Sequence, residues 1–266
     1  MTQSSWRDHA DQPVERSAPP GTTEPPFYEA IGDFQGELYD RNVFASGTVA
    51  EVDVLVDSLA LAAGSRVLDL GCGTGRHLRE LAKRGIGGLG LDASPRLVAA
   101  ARRAESPGVF FEVADVREPL DVEGFDAAVC LCHGGLGTGA ASDPAVVANL
   151  ARAVRPGGRA AFTVFHALFA ARHLAPGDAF DTMSLTHHQP AEVRGPDDER
   201  RRFELWTSAY TVPGAIRLAN DAGLDVVSVV GVEPGRYRPV DRDAPVRLDD
   251  PELLVLAERP GGRVSS

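Results

Sequence analysis

Residues 67–77 read VLDLGCGTGRH, and this stretch narrows the choice of fold more than any other in the chain. An apolar run of strand length is followed by glycines at alternate positions, Gly71, Gly73 and Gly75, and then by helical text from Arg76. Glycine at that density costs backbone entropy and adds no packing, so the turn needs bare backbone, either to bend or to let a ligand approach. A strand, a glycine turn and a helix form the repeating unit of parallel sheets.

The unit recurs. Strands are predicted at Arg66–Leu70, Ile86–Leu91, Val109–Val113, Phe125–Leu131 and Arg159–Phe165. Between them lie helices at Arg76–Arg84, Pro95–Ala104 with a Ser94 cap, and Pro144–Val154 with an Asp143 cap, the last followed by a turn at the PGG of 156–158. Ahead of this core, residues 1–26 mix Pro, Ser, Thr and charge and read as a disordered tail. Residues 27–63 read as helical, with Val49, Val52, Leu55, Val56 and Leu59 at helical spacing and Gly64 closing the helix. Behind the core, Thr182–Val193 and Arg201–Tyr210 read as an inserted hairpin, with Pro190 favouring an edge. A helix at Ala215–Ala222 and strands at Leu224–Val232 and Glu252–Glu258 complete the chain. The expected organisation is one α/β domain over 27–262, doubly wound, with a helical lid at 27–63 and the hairpin at about 182–210.

Glycines between a strand and a helix let a ligand reach outward-pointing N–H groups. Asp92 ends the second strand 21 positions after Gly71, where an acid accepts hydrogen bonds from both hydroxyls of a ribose. The ligand therefore contains a nucleoside, either a dinucleotide or S-adenosylmethionine. The dinucleotide pattern is GxGxxG, whereas the spacing here is GxGxG with Arg76 next. Asp69 stands at the strand end, where it would repel a pyrophosphate and attract a sulfonium and an ammonium. The charges favour S-adenosylmethionine.

With VLDLGCGTG, LDAS, EVADVRE, FDAAVCL and LARAVRPGGRAAF in that order, residues 27–260 resemble the class I SAM-dependent methyltransferases. The resemblance implies a Rossmann-like, seven-stranded, mostly parallel sheet with an antiparallel last strand, and the cofactor across the strand ends. It also implies roles. Asp69, Gly71, Cys72 and Gly73 would surround the methionine part, and Arg76 would pair with its carboxylate. Asp92 and Ala93 would lie at the ribose, Asp115 at the adenine amino group, Val116 at the ring, and the Leu131 backbone at the ammonium. Tyr39, with Tyr28 and Phe44, would lid the cofactor. Plainer roles also fit: Asp92 as a helix cap, Asp115 as a turn acid, Arg76 as a solvated helix residue, and the leading aromatics as helix packing.

Beyond the fourth strand the chain reads CLCHGGLGTG. It lacks an NPPY-like stretch, the Pro-Cys pair of cytosine methylators and the aspartate cluster of Mg²⁺-dependent O-methyltransferases. That favours a small-molecule acceptor and metal-free methyl transfer. His133 is the candidate general base, since neutral imidazole is available near pH 7; a loop-orienting role fits equally. Cys130 and Cys132 read as small buried hydrophobes, and His187 and His188 as facing opposite sides of a strand, one of them toward the pocket or both exposed. The hairpin caps the acceptor pocket or forms a homodimer face. A net charge of −11 argues against nucleic acid and anionic membrane as partners. Three cysteines without a disulfide framework, no leading apolar segment and no apolar run of spanning length fit a cytoplasmic protein. The competing reading is a SAM-binding protein without methyl transfer.

Overall fold

The structure is a computed structural model that describes residues 27–261 except 105, 133 and 242, with only the backbone at 27–29, 37, 43 and 44. The expectations for the tail at 1–26, for the His133 imidazole and for the side chains of Tyr28 and Phe44 lie outside the described residues.

Helix α1 (Phe27–Gln35) leads through two 3₁₀ turns, Gly36–Arg41 and Val43–Gly47, into α2 (Thr48–Leu59). The alternating core follows: β1 (Arg66–Leu70), α3 (Arg76–Ala82), β2 (Gly87–Asp92), α4 (Pro95–Arg103), β3 (Val109–Val113), β4 (Phe125–Cys130), α5 (Asp143–Ala153) and β5 (Val154–His166). Next come α6 (Ala167–Arg172) and three strands, β6 (Ala179–Asp181), β7 (Thr186–Arg194) and β8 (Arg200–Tyr210). The chain closes with α7 (Val212–Asp221), β9 (Asp225–Val232) and β10 (Glu252–Glu258).

Seven strands form the central sheet in the order β3-β2-β1-β4-β5-β10-β9. All are parallel except β10, which runs antiparallel to both neighbours. This is the Rossmann-like sheet with its antiparallel last strand. Both faces are covered, because successive side chains of each strand point to opposite sides. Leu68, Leu70, Ala128 and Phe162 join one buried cluster with α5 and α7. Val67, Ala127, Val129 and Ala161 join the other with α2, α3 and α4. Strand order reverses between β1 and β4, the place where open α/β sheets leave a crevice at their strand ends.

Several local expectations are corrected. The inserted hairpin has a third strand, β6, which pairs with β7 at Thr186–His188 only. Pro190 lies beyond its reach, so its missing N–H costs no ladder bond there. The extension joins the central sheet at one place, where Ala209 and Tyr210 pair with Phe165 and His166 at the end of β5. Helix α2 ends at Ala60 in the left-handed region (φ 53°) rather than at Gly64. Its apolar stripe is also turned: Val49 is 56% exposed, while Glu51 is fully buried. The PGG of 156–158 lies within β5, where pairing with β4 shifts register and Gly157 takes φ +76°. Ser94 caps α4 as expected, accepting from the Leu97 N–H at 3.2 Å. Asp143 does not cap α5; its carboxylate is bonded to Gly137 and Tyr210 instead.

Candidate functional site

The cavity lies where the strand order reverses. The glycine turn after β1 forms its floor, with Gly71, Gly73 and Gly75 at φ +71°, +55° and +76°. Only Gly71 illustrates the constraint fully: a Cβ there would stand 1.5 Å from the Gly134 carbonyl oxygen of the loop after β4. Two loops from adjacent parallel strands meet backbone to backbone, which only glycine permits.

Of the eleven residues expected to bind cofactor, ten line this one cavity: Tyr39, Gly71, Cys72, Gly73, Arg76, Asp92, Ala93, Asp115, Val116 and Leu131. Asp69 does not reach its surface. It is buried on β1 beneath the glycine turn, and among the described residues its Oδ2 has no hydrogen-bond partner. Burial raises its carboxyl to about 7, with Arg76 opposing and Asp92 reinforcing the shift.

Asp92 ends β2 with each oxygen accepting a backbone N–H: Gly73 donates to Oδ2 at 2.8 Å and Ser94 to Oδ1 at 2.9 Å. Burial raises its pKa against those two bonds. A carboxylate has about four acceptor positions, so capacity for two hydroxyl donors remains. Asp115 opens the turn after β3 and accepts Arg117 through Nε at 2.7 Å and Nη2 at 2.5 Å, which holds its carboxyl below the usual range. It is thus both a cavity residue and the turn acid that the plainer reading offered. The Leu131 carbonyl accepts from the Gly134 N–H at 3.0 Å.

Arg76 is not a solvated helix residue. Its Nη1 donates to Glu51 and, at 2.9 Å, to the Thr48 hydroxyl, while Nη2 lies 3.2 Å from the Cys132 sulfur. Glu51 also meets His77 Nε2 at 2.9 Å and accepts the Gly235 N–H at 2.9 Å. Burial would raise the Glu51 carboxyl, but His77 and Arg76 outweigh it and hold it at about 2. The His77 imidazole is pushed down by burial and by Arg76. Sequence reasoning missed Glu51 and His77. The available signal was an acid at helical spacing with Leu55 and Ser58, inside an otherwise apolar stripe.

The leading segment crosses the cavity. Tyr39 lines it, with a ring carbon 3.7 Å from where a Cβ of Gly73 would lie, and burial raises its hydroxyl pKa. Beside it, Asp40 accepts the Thr74 hydroxyl and lies 3.3 Å from Arg79 Nη2, fastening the 3₁₀ turn to the glycine loop. Cys130 is fully buried, as expected. Cys132 leaves the strand line with φ +51°, so the two thiols do not share a strand face. His187 and His188 do face opposite ways: His187 is buried against Asp178 at 3.1 Å, whereas His188 stacks on Trp206 with ring centroids 4.0 Å apart. Neither lines the cavity. Among the described residues, no group of three or more His, Cys, Asp or Glu could hold a metal ion, and no helix is long and apolar enough to cross a membrane.

Fold and cavity together are those of a Rossmann-like α/β protein with its crevice at the strand switch. Residues 67–158 match the family model described as a methyltransferase domain. An S-adenosyl-L-methionine-dependent Diels-Alderase of Talaromyces variabilis is 36% identical over 110 residues, covering 40% of this chain and 38% of that protein. Malonyl-[acyl-carrier protein] O-methyltransferase of Serratia marcescens is 33% identical over 127 residues, 47% of each. The matches thus span less than half the length of these curated relatives. The CcbJ methyltransferase of Streptomyces caelestis shares the fold, with a TM-score of 0.69 at 18% identity over 88% of this chain and 99% of that one. Residues 67–158 thus match a methyltransferase domain and the chain shares the fold of a methyltransferase of known structure, in line with the resemblance that implies S-adenosylmethionine as cofactor. The residues fit that cation: among the described residues one buried Asp69 carboxylate oxygen has no partner beneath the turn, and the turn itself admits no side chain at Gly71.

Proposed function

We propose that this protein transfers a methyl group from S-adenosylmethionine to a small-molecule acceptor without a metal. The observation that carries this reading is that ten residues given roles by the family resemblance, drawn from five segments of chain, line one cavity at the strand switch. When bound, S-adenosylmethionine supplies an electrophilic methyl group and a thioether leaving group, so the protein's task is alignment and charge.

In this reading Asp92 holds the ribose hydroxyls and Asp115, with the Val116 backbone, holds the adenine. Gly71, Cys72 and Gly73 admit the methionine portion, the Leu131 carbonyl takes the ammonium, and Asp69 stabilises the cationic end from beneath. Arg76, fixed by Glu51, meets the methionine carboxylate. Tyr39 and its 3₁₀ turn exclude water. The acceptor lies beyond Leu131 and Cys132, toward the β6–β8 extension. His133 takes its proton where the acceptor is neutral. The surplus of acid speaks against nucleic acid as the acceptor.

The test is methyl-labelled S-adenosylmethionine incubated with a panel of small carboxylic acids, phenols and amines. Label is expected in a small-molecule product, and His133→Ala should lower that turnover by about 10²–10⁴. Label recovered only in nucleic acid or protein would overturn the acceptor class. S-adenosylhomocysteine binding without transfer to any acceptor would favour the non-methylating reading.

A further inference from the structure

Residues 134–138 wall the cavity through Gly134, Gly135 and Thr138, at what is its methionine end on the function proposed above, on which this inference rests. Glycines occupy positions 134, 135, 137 and 139, so little in the local sequence restrains the backbone. At its inner end the stretch rests on the glycine turn: the Gly134 carbonyl fills the space that a Cβ of Gly71 would need. At its outer end Gly137 is gripped on both sides. Its N–H donates to Asp143 Oδ1 at 2.9 Å, and its carbonyl accepts the Ser208 N–H of β8 at 2.8 Å. The other Asp143 oxygen accepts the Tyr210 hydroxyl, also on β8, at 2.6 Å. Asp143 is fully buried, and its carboxylate joins three elements: the loop, α5 and β8.

We propose that Asp143 and Tyr210 are positioning residues that set the height of residues 134–138 over the glycine turn, coupling the inserted strands to the methionine end of the cofactor site. The backbone path is short. A ligand that shifts Gly134 moves Gly137 three residues later, and Gly137 is bonded directly to Ser208. Trp206 lies on the same face of β8 as Ser208 and Tyr210, since strand side chains alternate. It is 37% exposed and stacked on His188. A shift of β8 therefore reaches an indole partly open to water.

The experiment uses the full chain carrying Trp6→Phe, which leaves Trp206 as the only tryptophan. S-adenosylhomocysteine is the probe. Binding is followed by calorimetry, by stopped-flow dissociation and by Trp206 emission. In the parent, the ligand should change that emission. Tyr210→Phe and Asp143→Ala should bind with dissociation faster by roughly tenfold, the scale of a lost hydrogen bond to a charged group, and with the emission change lost. Asp143→Asn keeps an acceptor for the Gly137 N–H and should recover most of both properties. Leu59→Ala, a buried change in the cluster on the other face of the sheet, should lower the thermal midpoint and leave both readouts alone. If Asp143→Ala fails to fold, Tyr210→Phe carries the test, because it deletes one hydroxyl. Dissociation within twofold of the parent and an unchanged emission response in Tyr210→Phe would overturn the proposal.

Discussion

The two ends of the molecule hold their polar groups by different means. Around the cavity, backbone does much of the holding, beside the side-chain partners of Arg76 and Asp115. Asp92 accepts two main-chain N–H groups, the Leu131 carbonyl accepts a third, and Gly71 meets Gly134 main chain to main chain. In the β6–β8 extension, side chains hold side chains: His187 with Asp178, His188 with Glu204, Arg200 with Glu192 and Arg202 with Glu204. Apart from the first, those pairs have at least one well-exposed member. Exposed pairs contribute little to stability, typically 0–1 kcal/mol. Backbone geometry cannot be exchanged residue by residue, whereas surface pairs can.

The comparison breaks first at Glu51, a side-chain network on the cavity side. Glu51→Ala removes the carboxylate that faces the buried Arg76 and His77 and should cost about 3–5 kcal/mol in denaturant unfolding. The sign of its pH dependence follows from a folded-state pKa of about 2, below the ordinary value of 4.5. Its stabilisation is complete above the unfolded value and is lost as pH falls through about 2. A wild-type acid-unfolding profile indistinguishable from that of the variant would remove Glu51 from the account.

Gly71→Ala should be next. It combines a left-handed backbone with a clash against Gly134, together about 2–4 kcal/mol. Affinity for S-adenosylhomocysteine should fall at least a hundredfold, or the protein should not fold. Calorimetry giving normal affinity would show that the two loops do not meet in solution.

Asp92→Ala should weaken S-adenosylhomocysteine binding by about tenfold or more while the far-ultraviolet circular dichroism stays intact, since hydrogen bonds to a charged group are at stake. Unaltered affinity would withdraw the ribose assignment.

Asp69 sharpens the contrast through charge. Its folded-state pKa of about 7 is raised from 3.8, so ionisation of the buried carboxyl destabilises the fold as pH rises from the unfolded value toward 7. A cationic ligand favours the ionised form. The ratio of S-adenosylmethionine to S-adenosylhomocysteine affinity should therefore climb roughly tenfold between pH 6 and 8. Asp69→Asn should flatten that slope, and an equally steep slope in the variant would place the titration elsewhere.

The smallest effects belong to the extension's exposed face. Glu192→Gln should move the thermal midpoint by no more than about a degree, as expected of an exposed pair, and leave cofactor affinity alone. A drop of several degrees would mean that the pair is structural.

The sequence by itself determined the alternating strands and helices, the glycine turn and the acid at the end of β2, because each rests on local chemistry: hydrophobic period, positive φ and a short spacing along the chain. Only the tertiary structure decided that Glu51 turns inward while Val49 faces water, since that depends on Arg76 and His77 approaching from α3. The same holds for Asp143. Its place before Pro144 reads as a helix cap, yet it binds Gly137 and Tyr210, and the latter stands 67 residues away. Register within a strand is written in a two-residue period. Contacts between elements depend on which faces meet when the sheet twists and closes its two cores, and no local pattern encodes that meeting.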